Sequence, residues 1–376
     1  MTHRERVLAA LKHQPPDRVP LDLGATICSS ITAKAHACLR AYLGIPAEPL
    51  PIIVDKVQSL VDPDEAILCR FDVDLRSLLL GSADKQPEGQ RSDEAFVDEW
   101  GVTWTRHGES HYINTNGPFC SLAEPTVQDL AEFSWPDPGD PGRYRGLRQR
   151  AQNLHEKTDY AVVLTFGGGP VHQSQYMRGF GAWLEDLLVS PAFAEGLMDR
   201  YVEVWVEMIR LALQEAGEFI DVVMWGDDIG AQSTPLINPQ LYRRAIKPRH
   251  RRINDALRRF GKPVLFHTCG AVFSLIPDLI ESGIDALNPI QVSAVGMDTK
   301  RLKREFGRDL AFWGAIDTHQ VLPRGTPAEV REEVKRRIGD LAEAGGYIVA
   351  SVHNIQPEVP PENIEAMCEA TLEFGR

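Results

Sequence analysis

The chain has 376 residues, of which 43% are hydrophobic and 25% charged, and its formal net charge is −13. That apolar content excludes a disordered chain, and the scattered glycines and prolines exclude a collagenous or low-complexity one. No apolar run approaches the roughly 18 residues of a membrane span, and the acidic balance repels phosphate backbones, so neither a membrane nor a nucleic acid is an expected partner.

Residues 1–18 are polar and charged and lack the apolar stretch of a secretory signal. The six cysteines (Cys28, Cys38, Cys69, Cys120, Cys269 and Cys368) are dispersed and form no CxxC pair. Reduced thiols in a cytoplasmic protein are therefore expected, with all but Cys269 serving as small core residues. Eight short apolar runs then follow along the chain, at 19–23, 73–79, 160–165, 221–225, 264–267, 284–287, 310–313 and 347–350. Stretches of helical periodicity lie at 191–216, 239–260, 273–282, 299–306, 327–344 and 361–374. Ser190-Pro191, Asn238-Pro239 and Thr326-Pro327 are helix-entry signals, and Gly261, Gly283, Gly307 and Gly345 follow helix ends.

Strands alternating with helices imply a parallel sheet, and eight units imply an α/β fold of the (β/α)₈ TIM-barrel type. The interval between the second and third runs is too long for one crossover. Within it, residues 96–113, with Trp100, Val102 and Trp104 spaced by two, predict a small antiparallel excursion, and Pro136, Pro138 and Pro141 a connection back. The expected organisation is one barrel domain over 1–376 with an insertion at about 82–141.

In such a barrel, chemistry sits where strands end. The fifth run ends in His267-Thr268-Cys269, and residues two apart on an extended segment face the same way, so imidazole and thiol can share a site. The eighth run ends in Ser351-Val352-His353, which brings a third ligand to the same face. His267, Cys269 and His353 thus predict a three-ligand zinc site with an open position. After the fourth run, Asp227 and Asp228 stand between glycines. One could complete the metal shell, and the other could orient a ligand histidine or act in acid–base chemistry. The triple glycine Gly167-Gly168-Gly169 allows close backbone approach to a ligand but fits neither a dinucleotide nor a P-loop pattern. His172, Tyr176 and Arg178 beyond it, with Gln232, Asn288, Gln291 and Asp317 after other strands, are candidates for substrate contact. For Arg178 the partner would be a substrate carboxylate.

Several motifs together resemble the uroporphyrinogen decarboxylase superfamily. They are the opening Arg4-Glu5-Arg6-Val7-Leu8-Ala9-Ala10-Leu11 with Pro16-Asp17-Arg18-Val19-Pro20, the segment from Gly169-Pro170 to Tyr176-Met177, Lys247-Pro248, and the closing Val352-His353-Asn354 with Pro361-Glu362-Asn363-Ile364. The resemblance implies the barrel and an active-site role for Tyr176. The porphyrin decarboxylase branch carries an arginine-rich loop after strand one and a catalytic aspartate after strand two. Here those places read Gly24-Ala25-Thr26-Ile27-Cys28-Ser29-Ser30 and Leu78-Leu79-Leu80-Gly81. The corrinoid-linked methyltransferase branch, similar to the methylcobamide:coenzyme M enzymes, binds zinc through His-x-Cys and a distant cysteine. His267 and Cys269 match the pair, and His353 stands at the third place, a departure that makes the centre a stronger Lewis acid.

The resemblance therefore implies a zinc-dependent methyltransferase moving a methyl group between a protein-bound corrinoid and a small O-, N- or S-methyl compound (an aryl methyl ether among them) or a thiol. No DxHxxG corrinoid motif occurs, so the cobalamin is expected on a partner protein. The alternatives are a metal-free decarboxylase or lyase of the same superfamily and a non-catalytic corrinoid or small-molecule binding protein. Assembly into a homo-oligomer stays open.

Overall fold

The computed structural model describes residues 1–85, 89–92 and 94–376. Its centre is a seven-stranded, wholly parallel sheet whose strands pair in chain order: β1 (Leu75–Leu79), β2 (Ala161–Gly168), β3 (Val222–Gly226), β4 (Val264–His267), β5 (Ala286–Asn288), β6 (Ala311–Ile316) and β7 (Tyr347–Ser351). Helices connect them, as crossovers between parallel strands require. The predicted eighth member, at 19–23, is present only as a parallel bridge between Leu21 and Val349. Asp22 N–H donates to Val349 O, and Val349 N–H donates to Pro20 O, while on the other side Asp74 N–H donates to Leu21 O. The ladder stops there because Leu21 N–H is taken by the Asp74 side chain at 2.8 Å, and Pro20 has no N–H to offer. Asp74 is buried and also bound by Arg6 and Arg18, so the barrel is closed at this place largely by an ionic cluster.

Each strand is buried on both faces, and its alternate residues serve two cores. Val162 and Leu164 pack outward under the helices. Ala161, Val163, Val222, Met224, Leu265, Ala286, Ala311 and Ile348 fill the barrel interior. The small alanines there make room for Trp313. Val7, Ala10 and Leu11 of α1 (His3–Leu11) join this inner cluster and plug one end of the barrel.

The helical stretches appear as read, with two local changes. The 239–260 stretch contains a π-type turn at Tyr242–Ile246 before the helix Lys247–Arg258. Pro248 explains it, since it cannot donate to the preceding turn and the backbone widens there. The 273–282 stretch opens with a 3-10 turn at Phe273–Leu275. The antiparallel excursion is a four-stranded sheet of Gly89–Ser92, Ala95–Val97, Thr103–Thr105 and Ile113–Asn116, with Phe96 opposite Trp104. A second small sheet, Ile31–Thr32, Ile53–Asp55 and Leu60–Val61, has too few residues per strand to register as periodicity. No helix among the described residues is long and apolar enough to cross a membrane.

Candidate metal centre and its cavity

His267 is the last residue of β4, Cys269 lies two residues beyond it, and His353 follows β7. Their ligand atoms all lie within 4.8 Å of one another. Cys269 Sγ is 3.5 Å from His267 Nε2, and the two imidazole rings are 5.6 Å apart at 66°. The spacing expected from the two-residue strand period is therefore realised in side-chain contact.

The loop carrying Cys269 is fixed by its own amides. Thr268 N–H donates to Asn288 O, Cys269 N–H to Asp228 Oδ1 at 2.7 Å, and Gly270 N–H to Gln291 Oε1 at 2.6 Å. His267 Nδ1 lies 2.6 Å from Asn288 Oδ1, and Asn288 Nδ2 donates to Trp313 O. Because Oδ1 carries no hydrogen, Nδ1 of His267 must donate. Its Nε2 is left with a lone pair facing Cys269 and His353. Burial pushes the His267 pKa down to about 4, against the pull of Asp228, and burial lowers that of His353 as well. Both rings are thus held neutral, the form that coordinates a metal. Burial and Asp228 push the Cys269 thiol up, so a metal binding there would displace its proton. Two neutral imidazoles and one thiol form a donor set that suits zinc.

The adjacent carboxylates do different things. Asp228 lines the cavity, where its Oδ2 is 3.2 Å from His172 Nε2. Burial disfavours the imidazolium of His172. The Asp228 hydrogen bond and the charges of Asp228 and Asp227 outweigh it and raise the pKa to about 9. Asp227 is fully buried and does not line the cavity. Its oxygens accept from Val171 N–H and His172 N–H at 2.8 Å each, and from His250 Nε2 at 3.0 Å. The cap position of helix α2 (Pro170–Arg178) is Gly169, which has no side chain, so Asp227 supplies the missing cap from β3. Only glycine permits this approach: a Cβ at Gly169 would sit 2.8 Å from the Asp227 carboxylate and from Trp225. The last residue of the triple glycine thus admits the chain's own carboxylate and not a ligand.

The raised His172 pKa has a testable sign. Its pairing with Asp228 contributes stability that is fully present below about pH 6.5, the unfolded value, and is lost as pH rises through about 9. His172→Gln is expected to flatten the fall in unfolding free energy between pH 7 and 9 in denaturant titrations. An unchanged slope would rule the imidazolium out.

The remaining candidates divide. Tyr176 faces the cavity, its ring 5.0 Å from Trp104. Arg178 does not: it is buried, with Nε on Asp186 at 2.6 Å and Nη1 on the carbonyls of Phe119 and Leu122, where it braces the end of α2. Asn288 and Gln291 hold the His267–Gly270 loop, and Gln232 bonds Gln291 and Ser293 O. Asp317 caps its own turn through His319 N–H. None of these four lines the cavity.

The cavity beside the cluster encloses about 530 Å³. Residues not anticipated as site groups line it, among them Cys28, Asp55, Gln58, Glu99 and Trp205. Cys28 sits in the loop after the first run, where the strand-end rule could have found it. Nothing local in the sequence marks Asp55 or Gln58, which the unanticipated small sheet and its turn deliver. Of the other cysteines expected in the core, Cys38 and Cys69 are exposed, Cys120 is half-buried and only Cys368 is buried. Cys69 bonds Glu65 on the outer face of its helix.

Comparison with known proteins gives a consistent frame. A family model described as uroporphyrinogen decarboxylase (URO-D) matches residues 109–374. The chain is 29% identical over 222 residues to the uroporphyrinogen decarboxylase of Syntrophotalea carbinolica, covering 56% of this chain and 59% of that one. It is 28% identical over 144 residues to the methylated-thiol–coenzyme M methyltransferase of Methanosarcina mazei, covering 38% and 35%. These two matches therefore span less than two thirds of the relatives' own length. The methylcobamide:CoM methyltransferase of Methanosarcina mazei is 22% identical over 381 residues, covering 99% and 98%. A solved structure, a methyltransferase from Methanosarcina mazei, superimposes with a TM-score of 0.65 at 18% identity over 100% of this chain and 99% of that one, a likeness of fold.

Proposed function

The chain belongs to the uroporphyrinogen decarboxylase (URO-D) family, and from that premise we propose that it is a zinc-dependent methyltransferase that exchanges a methyl group between a small molecule and a corrinoid carried by a partner protein. The observation that carries this reading is the His267–Cys269–His353 cluster with the His267 tautomer set by Asn288. The full-length similarity to a methylcobamide:CoM methyltransferase supports it. The decarboxylase reading is weaker because porphyrinogen propionates need cationic partners, and no lysine or arginine lines the cavity among the described residues.

His267 Nε2, Cys269 Sγ and His353 would hold the zinc. When bound, zinc supplies Lewis acidity, which lowers the basicity of a thiol, ether or amine atom beside it. Asn288 keeps the His267 lone pair directed into the cluster, and Asp228 fixes Cys269 through its amide. His172 holds a proton on Nε2 against Asp228, poised to neutralise a leaving oxygen or nitrogen or, once deprotonated, to take the proton of a thiol. The aromatic side chains that line the cavity, Trp104, Tyr176 and Trp205 among them, would limit the water that reaches the transfer. No DxHxxG corrinoid motif occurs in the chain, so the cobalamin would arrive on a separate subunit.

The direct test is transfer between reduced cobalamin and a panel of methyl donors, followed by the absorbance of methylcobalamin. Activity should vanish on chelation and return with zinc; turnover that survives chelation would refute the reading. Asn288→Leu frees the His267 tautomer and should weaken zinc binding about 10–100-fold, measured by competition with a chromogenic chelator.

A further inference from the structure

The helix Ala33–Tyr42 and the returning segment 45–53 enclose a groove of about 430 Å³. Ala33, Ala37 and Ala41 recur every four residues, which puts them on one helix face, and their short side chains leave the space open. Leu50 and Ile53 stand opposite and are exposed. The groove shares no lining residue with the cavity beside the metal cluster. The strand Ile53–Asp55 runs between the two, giving Ile53 to the groove and Asp55 to the cavity.

Two polar side chains reach this otherwise apolar surface, His36 and Arg40, and both are buried. Arg40 is fully engaged. Its Nη1 donates to Pro49 O at 2.7 Å and its Nη2 to Pro46 O, and its Nε lies 3.1 Å from Asp64 Oδ2, which matches its charge. His36 is engaged on one side only. Asp64 N–H donates to His36 Nε2 at 3.3 Å, so in the neutral ring the hydrogen is carried by Nδ1. Asp64 Oδ2, 3.4 Å from the same Nε2, is the oxygen paired with Arg40. Burial lowers the His36 pKa against the pull of Asp64 and keeps the ring neutral. Nδ1 itself is buried and meets no hydrogen-bond partner among the described residues. A buried donor without a partner is uncommon in a folded protein, and an acceptor brought to it removes the cost.

The chemistry of an occupant follows from these groups. No carboxylate lines the groove to receive an amine. The one cation there is already matched, so an anion would give up its water with no charge to replace it. Hydrocarbon suits the walls, and one neutral oxygen suits the floor. We propose that the groove is a second small-molecule site, for an uncharged apolar compound with a single acceptor oxygen (a ketone, ester or amide) that receives the His36 Nδ1–H. A volume of about 430 Å³ lies within the roughly 300–1,000 Å³ of small-ligand sites. This site depends neither on the metal centre nor on methyl transfer.

The experiment is calorimetric and saturation-transfer NMR titration of the purified full chain with 2-octanone, octanoate and octylammonium, which share an alkyl chain and differ in the polar end. The ketone should bind saturably and at least about tenfold more tightly than either ion. Ala37→Trp, at an exposed position of the helix, fills the groove without entering the core. It should remove ketone binding, which also excludes the barrel cavity as the place of binding. His36→Phe takes away the donor and should weaken the ketone about threefold to tenfold. That variant strands the Asp64 amide as well, so the result with Ala37→Trp stands even where His36→Phe folds poorly. Absence of saturable ketone binding, an ion bound as tightly, or an unchanged ketone affinity in either folded variant would overturn the proposal. Concentration-dependent pairing of chains that Ala37→Trp abolishes, with no ketone binding, would overturn it too and give the groove to a second copy.

Discussion

His267→Ala is expected to reduce zinc from one ion per chain to a small fraction after dialysis, and methyl transfer with it. A zinc site of this kind is worth about 10–16 kcal/mol, and one of a few ligands carries about 3–4 kcal/mol of it, a loss of about 10²–10³-fold in affinity. Cys269→Ser should do the same, because a hydroxyl is a poorer zinc ligand than a thiolate. The informative member of the set is His353. It stands where the resemblance implies a cysteine, yet its ring packs 5.6 Å from that of His267 and its ligand atom belongs to the same 4.8 Å cluster. His353→Ala should lose zinc, and His353→Cys should retain one ion with a second sulfur ligand, visible in the X-ray absorption edge. Full zinc content in His353→Ala would move the third ligand elsewhere.

Asp227→Ala is expected to damage folding more than chemistry. The substitution removes a buried carboxylate with three partners, leaves the first turn of α2 uncapped and strands His250. Breaking a buried, fully bonded charge costs about 3–5 kcal/mol, enough to lower the melting temperature by roughly 5 °C or more. Asp228→Asn should show the opposite balance, keeping most of the stability while losing activity, since Asp228 is half-exposed to the cavity and pairs with His172. Calorimetry on the two variants separates the roles. An Asp227→Ala protein with parental melting behaviour and no activity would return Asp227 to the reaction.

This pair marks the limit of what the sequence made legible. Two adjacent carboxylates after a strand announce a site loop, but consecutive residues point to opposite sides. Which side meets the cavity depends on where α2 lies, and that is set by Gly169, far away in the chain. The strands were legible because they are continuous apolar runs bounded by glycine, and His267, Cys269 and His353 were legible because strand ends share one barrel face. Arg178 was read as reaching the pocket because its helix begins there, but the last turn of α2 points at Asp186 and the Phe119–Leu122 loop. Asn288 was read as a substrate contact, and its place is behind His267. Sequence separation says nothing of such depth. The aromatic side chains of the cavity were hidden because they come from an antiparallel sheet and a turn within it, a strand end, the short α2 and one long helix, Pro191–Ala216, with no spacing common to them.

The strands that carry the cluster are not equally secure. Strand β4 has full ladders on both sides, whereas β7 is bounded on one side by the lone Leu21–Val349 bridge. An ion held between the β4 and β7 loops would therefore act as a girder across the mouth, fastening to the firm middle of the sheet an edge that has only two backbone bonds to the 20–22 segment. Trp313 extends this tie from below: its carbonyl receives Asn288, and its Nε1–H reaches Asp22 beside Leu21. Losing the metal would then be felt first as fraying where the barrel meets itself, before any change reached the aromatic side chains of the cavity.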